Sequence, residues 1–160
     1  MRTLFLILTF IFAGHALAEN IYIDSENSAS GRSVILEEHD DAAYLYLTDD
    51  EGESLERDAL AYMRIEPPKV VDWQARMAQG NPPILSRDLA SSSAVKSDTE
   101  ESDFTFKWSS DGESAALLYH GDPIAFVSVN QEFGYSKAVI KASLISYPWD
   151  QKLYEKYFSN

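Results

Sequence analysis

The sequence predicts an α+β fold: a predominantly antiparallel β-sheet meander with a short central helix and a second helix at the C-terminus. Three observations carry that expectation. Apolar and polar residues alternate in short runs, and the runs are punctuated by Asp-Asp, Asp-Gly and His-Gly-Asp-Pro turn signals. Helical spacing of apolar residues shows in only two places, near Trp73 and after Pro148. Cysteine is absent, so packing has to hold the chain together without disulfides or thiolate–metal sites.

The N-terminal "MRTLFLILTFIFAGHALA" combines Arg2, an apolar run from Leu4 to Phe12 broken only by Thr9, and the small-x-small triplet Ala16–Ala18. A bilayer-spanning helix needs about 20 apolar residues. The order of charge, short apolar run and Ala-x-Ala predicts a secretory signal peptide over residues 1–18, cleaved after Ala18. Residues 19–160 are then expected to form one exported, periplasmic β-rich domain, large enough for a core of its own. With the signal removed, nothing in it predicts membrane insertion.

Along that domain, Ile21–Asp24 suits a short first strand, and "SENSASGR" (Ser25–Arg32) a polar loop. "SVILEE" and "AAYLYLT" flank His39, Asp40 and Asp41 and predict a hairpin, with Leu45 and Leu47 on one face and a half-exposed row of Tyr44 and Tyr46 on the other. Asp49–Asp58 is acidic and predicts an exposed connection before the strand "ALAYMRI", which Pro67 and Pro68 stop. "KVVDWQARMAQG" predicts a short helix with Val70, Trp73 and Met77 on one face and Gly80 as its left-handed cap. Residues 86–103 are rich in Ser, Asp and Glu, offer little to bury, and are expected to form a long mobile loop.

"FTFKW", "ESAALLY" and "IAFVSV" then predict three strands joined by "SSDG" and "HGDP". In this reading Trp108 is a core residue. Asp111, Gly112, Gly121 and Pro123 shape the turns, because hydroxyls and carboxylates at turns bond to local backbone. Val139 and Ile140 favour a strand at the centre of residues 135–147. In "PWDQKLYEKYF", Trp149, Leu153, Tyr154, Tyr157 and Phe158 make an apolar helical stripe expected to dock on the sheet, with Pro148 in the first turn.

The formal net charge of −13 disfavours nucleic acid and anionic lipid and favours a basic partner. Catalytic signals are sparse. No Gly-x-Ser-x-Gly elbow occurs. His39 and His120 fall in different turns, although a hairpin could bring Ser109 toward His120. "DDEGES" lacks the alternating spacing of an EF-hand loop, so no metal site is assigned there. With 26 acidic residues, a carboxylate pair suited to hydrolysis arises easily by chance. No phosphate-cradling Gly-rich loop is present, and no cofactor is implied.

The order "AAYLYLTDDEG", "ALAYMRI" and "FKWSSDGESAALLYHGDPIAFVSVN" resembles a family of small bacterial β-rich domains of unknown function, with the pattern W-S-x-D-G…A-L-L…G-x-P-x-A. Trp108, Ser109, Asp111, Gly112, Ala116, Leu117, Leu118, Gly121, Pro123 and Ala125 stand in matching places. The chain departs from the pattern at "FVSVN", where the family tends to Phe-Asp-Phe. Members look like immunity proteins, so the resemblance implies a protein that binds and blocks a toxin. It transfers no catalytic residue. The resulting expectation is a non-enzymatic periplasmic binding protein that sterically blocks a basic toxin or enzyme. Asp49, Asp50, Glu51 and Glu53 are the first candidate contacts, and Asp98, Glu100, Glu101 and Asp103 the second. A small periplasmic hydrolase using a carboxylate pair and a structural envelope protein are the alternatives. A cleft lined by two acids and a tyrosine would favour the hydrolase.

Overall fold

The computed structural model describes residues 19–159. The expected signal peptide lies outside the described residues. Strands β1 (Tyr22–Asn27), β2 (Arg32–Glu38), β3 (Ala42–Thr48) and β4 (Leu55–Met63) form a four-stranded antiparallel meander. Helix α1 (Trp73–Ala78) and an irregular stretch follow. Then β5 (Phe104–Trp108), β6 (Ser114–Tyr119), β7 (Asp122–Ser128), β8 (Tyr135–Ser136) and β9 (Tyr147–Pro148) form a second sheet, antiparallel except for the β8–β9 pair. Helix α2 (Gln151–Phe158) ends the chain. The fold is α+β and mainly antiparallel, and its strands divide between two sheets.

The sheets pack face to face because period-two alternation gives each an apolar inner face. Val34, Leu36, Leu45, Leu47 and Ala59 from the first sheet meet Ala115, Leu117, Ala125 and Val127 from the second in one core. Both outer faces are covered as well. Tyr44 and Leu60 lie under Ile84, Leu85, Ala94, Val139 and Ile145. Of the tyrosine row expected to be half exposed, Tyr44 is sealed at 2% exposure, while Tyr46 is half-buried as expected. On the far side, Phe126 packs under Trp149, Tyr154, Tyr157 and Phe158, so α2 docks through the expected stripe.

Several boundaries differ from the sequence reading. β1 continues through Ser25–Asn27 and Arg32 opens β2, leaving only a turn between them. β4 begins at Leu55, inside the supposed acidic connection. The strand expected around Val139 and Ile140 is a series of turns, flanked by the two-residue strands β8 and β9. Pro148 belongs to β9, and Asp150 caps α2 by accepting from Leu153 N at 2.9 Å. In α1, Asp72 accepts from Ala75 N and Gly80 takes φ +76°, as a left-handed cap requires. The helix is too short for its apolar stripe to reach the sheet. Val70 and Met77 are exposed, and only Trp73 packs inward, its Nε1 donating to Ile84 O at 3.1 Å.

Residues 86–103 are irregular but tethered. Ala90 bridges to Val139 and Val95 to Met63, and Ala94 is fully buried. Pro123 lies within β7 opposite Leu118, beside a register shift, which is where a ladder tolerates a residue lacking an N–H. Gly134 allows the chain after β7 to pass close against β4: a Cβ there would lie 2.3 Å from Asp58 O.

Candidate functional site

The up-and-down order of β1–β4 puts the β1–β2 and β3–β4 turns at one end of the sandwich. The β5–β6 turn reaches the same end. Gly112, with φ +72°, is buried against Asn27 and Ser30 of the β1–β2 turn, and Gly31 sits against the backbone carbonyl of Asp50. The acidic β3–β4 turn thus rests on the β1–β2 turn, which itself packs against the β5–β6 turn.

Asp49 fixes this turn internally. Its Oδ1 accepts from Glu53 N at 2.9 Å, and backbone hydrogen bonds, that of Glu53 foremost, hold its pKa below the usual carboxylate range. Asp111 does the same for the β5–β6 turn. It accepts from Ser109 Oγ at 2.6 Å and Glu113 N at 3.0 Å, and these bonds, Ser109 first, lower its pKa. Asp50, Glu51 and Glu53 are exposed, with no ion pair among the described residues.

Two arginines at this end turn inward. Arg32 is 8% exposed and divides its guanidinium among Glu56 Oε2 (2.6 Å), Glu113 Oε2 (2.9 Å) and Thr48 O (2.8 Å). Arg57 donates to Gln131 O and Val129 O of the turn that follows β7. The outward charge of the three turns is therefore acidic. Sequence reasoning missed Arg32, because nothing in "SGRSV" distinguishes a buried arginine from a loop cation.

The second acidic set lies at the opposite end. A seven-residue strand such as β3 spans roughly 20 Å at about 3.3 Å per residue, so the two sets cannot line one continuous face over a single cleft. Glu100 N donates to Asp103 Oδ2 at 2.8 Å, and Asp103 O accepts from His120 N at 2.9 Å. Asp98 and Glu101 are exposed. Beneath them lies a buried carboxylate the sequence did not flag. Glu38 accepts from Ile21 N (3.0 Å), Thr99 Oγ1 (2.7 Å) and Tyr62 Oη, and burial foremost pushes the Tyr62 pKa upward.

Trp108 is partly buried against the central core, and Gly121 has φ +84°. Ser109 and His120 do not meet. Trp108 pairs with Ala115 and Phe104 with Tyr119, so the two residues lie at opposite ends of the β5–β6 hairpin. Ser109 Oγ accepts from Ser114 N and donates within its own turn.

An open cleft of about 250 Å³ on β4 is lined by Tyr46, Leu55, Glu56, Arg57 and Asp58. Asp58 is exposed along β4, yet the atoms packed around its carboxyl partly desolvate it and raise its pKa. Tyr46 is pushed up to about 12, by desolvation first and then by Glu37 and Asp58. Glu56 is tied to Arg32. Among the described residues no cluster of three or more His, Asp or Glu side chains is arranged to hold a metal ion, and no helix is long and apolar enough to cross a membrane. Comparison with protein-family models, curated proteins and solved structures finds no match.

Proposed function

We propose that the chain is an exported, non-enzymatic binding protein that acts in the periplasm by covering the cleft of a basic toxin or enzyme, in the manner of an immunity protein. The supporting observation is the acidic end of the sandwich. Asp50, Glu51 and Glu53 project from a turn whose backbone is already fixed by Asp49 and packed against Gly31. A pre-ordered turn loses little conformational freedom on binding. The inward-turned arginines leave its negative field uncompensated, which speeds encounter with a positive surface. The set at Asp98, Glu100, Glu101 and Asp103 faces the other way and serves as the internal control.

The test uses the secreted product of a neighbouring reading frame as partner. Asp50→Lys, Glu51→Lys and Glu53→Lys are combined, leaving Asp49 to hold the turn. The association rate at low salt should fall about 10-fold or more and lose its salt dependence. Reversing Asp98 and Glu101 should leave it unchanged. An unaltered rate and salt slope in the triple variant would remove the acidic end from the mechanism.

A second reading, a small hydrolase, draws on the cleft beside β4. It holds two acids and a tyrosine, and one carboxyl is shifted toward the neutral form beside another that is ion-paired. General acid–base chemistry uses that division of labour. Glycosidic and peptide substrates assayed with wild type and Asp58→Asn decide it: activity lost in the variant supports hydrolysis, and absence of activity in the wild type ends it.

A further inference from the structure

A cleft of about 320 Å³ opens away from the acidic end, between the irregular segment before β5, the β6–β7 turn and the residues after β8. Two lysines of this acidic chain, Lys96 and Lys137, line it together with Ser93, Tyr119, His120 and Asp122. Neither lysine forms an ion pair among the described residues.

Both lysines stand on anchored backbone. Lys96 N donates to Met63 O at 2.9 Å, and Lys137 N to Ile124 O at 2.9 Å. Ser91 joins the two segments, with its N donating to Ala138 O and its Oγ to Lys137 O. The ammonium groups rest on aromatic faces. Lys96 Nζ lies 4.5 Å from the Tyr119 ring centroid and Lys137 Nζ 4.8 Å from that of Trp149. An aromatic face takes up one side of an ammonium and leaves its other N–H donors available. The His120 turn forms one wall, its backbone held in the left-handed region at φ +49° and bonded to Asp103 O. Ile124 and Ala138 give the cleft an apolar floor.

We infer that this cleft binds a small phosphate monoester, with Lys96 and Lys137 taking its dianion and Asp122 accepting from a hydroxyl of the esterified alcohol. Two positive groups in one cleft repel each other unless an anion lies between them. Burial first, and then the charge of Lys137, lower the Lys96 pKa, so an anion relieves a strain already present. Lysine recognises phosphate as a point charge and needs no forked geometry. Asp122 disfavours a bare anion and favours one carrying hydroxyl donors.

The experiment is a titration of the protein with glycerol 3-phosphate, followed by backbone amide shifts. Inorganic phosphate and glycerol are separate arms. Saturable shifts confined to residues 93–96, 119–124 and 137–138 are expected, weaker with inorganic phosphate and absent with glycerol. Lys96→Met and Lys137→Met should each weaken binding about 10-fold or more, the loss of one charge-assisted hydrogen bond. Lys96→Arg should retain binding, and Lys152→Met on α2 should leave it unchanged. The amide spectrum of each variant verifies its fold. Non-saturating shifts, equal shifts with glycerol, or undiminished affinity in the Lys96→Met/Lys137→Met double variant would each overturn the assignment.

Discussion

Replacing Arg32 with Met tests how the two sheets are joined at the acidic end. Methionine keeps most of the buried stem's packing and removes the guanidinium. Three bonds are lost, to Glu56 at 2.6 Å, Glu113 at 2.9 Å and Thr48 O at 2.8 Å. Burial alone would lower the Arg32 pKa, but the hydrogen bonds and charges of Glu56 and Glu113 outweigh it and hold the pKa above its ordinary value. Removing one partner of a fully buried pair costs about 3–5 kcal/mol. Here the carboxylate side chains stay 33% and 34% exposed and can rehydrate, so each pair contributes about 1 kcal/mol at most. The Thr48 carbonyl, left without its donor, adds about 1 kcal/mol. The expected loss is therefore about 2–3 kcal/mol, or roughly 5–10 °C in Tm for a domain of this size. Urea denaturation followed by tryptophan fluorescence measures it, with an unchanged m value marking an unchanged unfolding transition. Adding Glu113→Gln to the variant should cost little more than Arg32→Met alone, because the two changes share one bond. A loss below about 0.5 kcal/mol, the range of an ordinary surface change, would show that solvent already screens these pairs and that something else ties the end together.

Gly134→Ala should cost about 3 kcal/mol or more, since its Cβ would lie 2.3 Å from Asp58 O and 2.4 Å from Ala59 Cβ, and overpacking of this kind cannot relax by rotating a side chain. Gly80→Ala meets nothing within 4 Å and should cost only about 1 kcal/mol, through its φ of +76°; equal losses in parallel melts would refute the close-approach argument. Phe126→Ala removes a fully buried ring that touches Tyr135, Trp149, Tyr154, Tyr157 and Phe158, so a loss of about 3–5 kcal/mol is expected, with amide exchange rising first in α2. Asp58→Asn should raise stability at pH 7. The folded carboxyl pKa lies above the unfolded one, so its favourable contribution is present below the unfolded value of about 3.9 and is lost as pH rises through the folded value. Melts of wild type and variant should therefore converge below roughly pH 3.5, and a gain that persists there would contradict the desolvation argument.

The strands were legible wherever one face is apolar and a turn signal bounds the run. β5, β6 and β7 are of that kind, since Phe104, Phe106 and Trp108 alternate with polar residues and Gly112 ends the run. What sequence could not show was that both outer faces are covered. Tyr44 and Tyr46 look the same in one dimension whether they face solvent or lie beneath Leu85 and Ala94. The same applies to residues 135–147. Val139 has strand propensity, but its burial comes from packing over the first sheet from within a series of turns. Acidic candidates were readable as charge, while their grouping was not, because it depends on which turns share an end. Lys96 and Lys137, far apart in sequence, carried no local signal at all.

The β5–β6–β7 meander shows why its two turns differ in what they offer. At Ser109–Ser114 the side chains of Ser109, Asp111, Glu113 and Ser114 are engaged within the protein: Ser109 Oγ bonds to Asp111 and Ser114, Glu113 pairs with Arg32, and the Ser114 hydroxyl donates to Ser128 Oγ at 2.8 Å. A group satisfied inside its own turn shapes the backbone and has little left for a ligand. At His120–Asp122 the outcome is different. His120 and Gly121 both have positive φ, which turns the chain in two residues; the Asp122 carboxylate and the His120 ring, whose Nε2 lies 3.5 Å from Asp103 Oδ1, remain exposed. Backbone geometry does the turning there, so the side chains are left to line the lysine cleft. If that division holds, changes at Ser109 and Asp111 will register as stability alone. Asp122→Asn will leave stability within the range of a surface change, and its effect will appear in the affinity for the ester while that for inorganic phosphate holds or improves. A loss of fold stability at Asp122 comparable to that at Asp111 would show that the second turn, too, is held by its side chains.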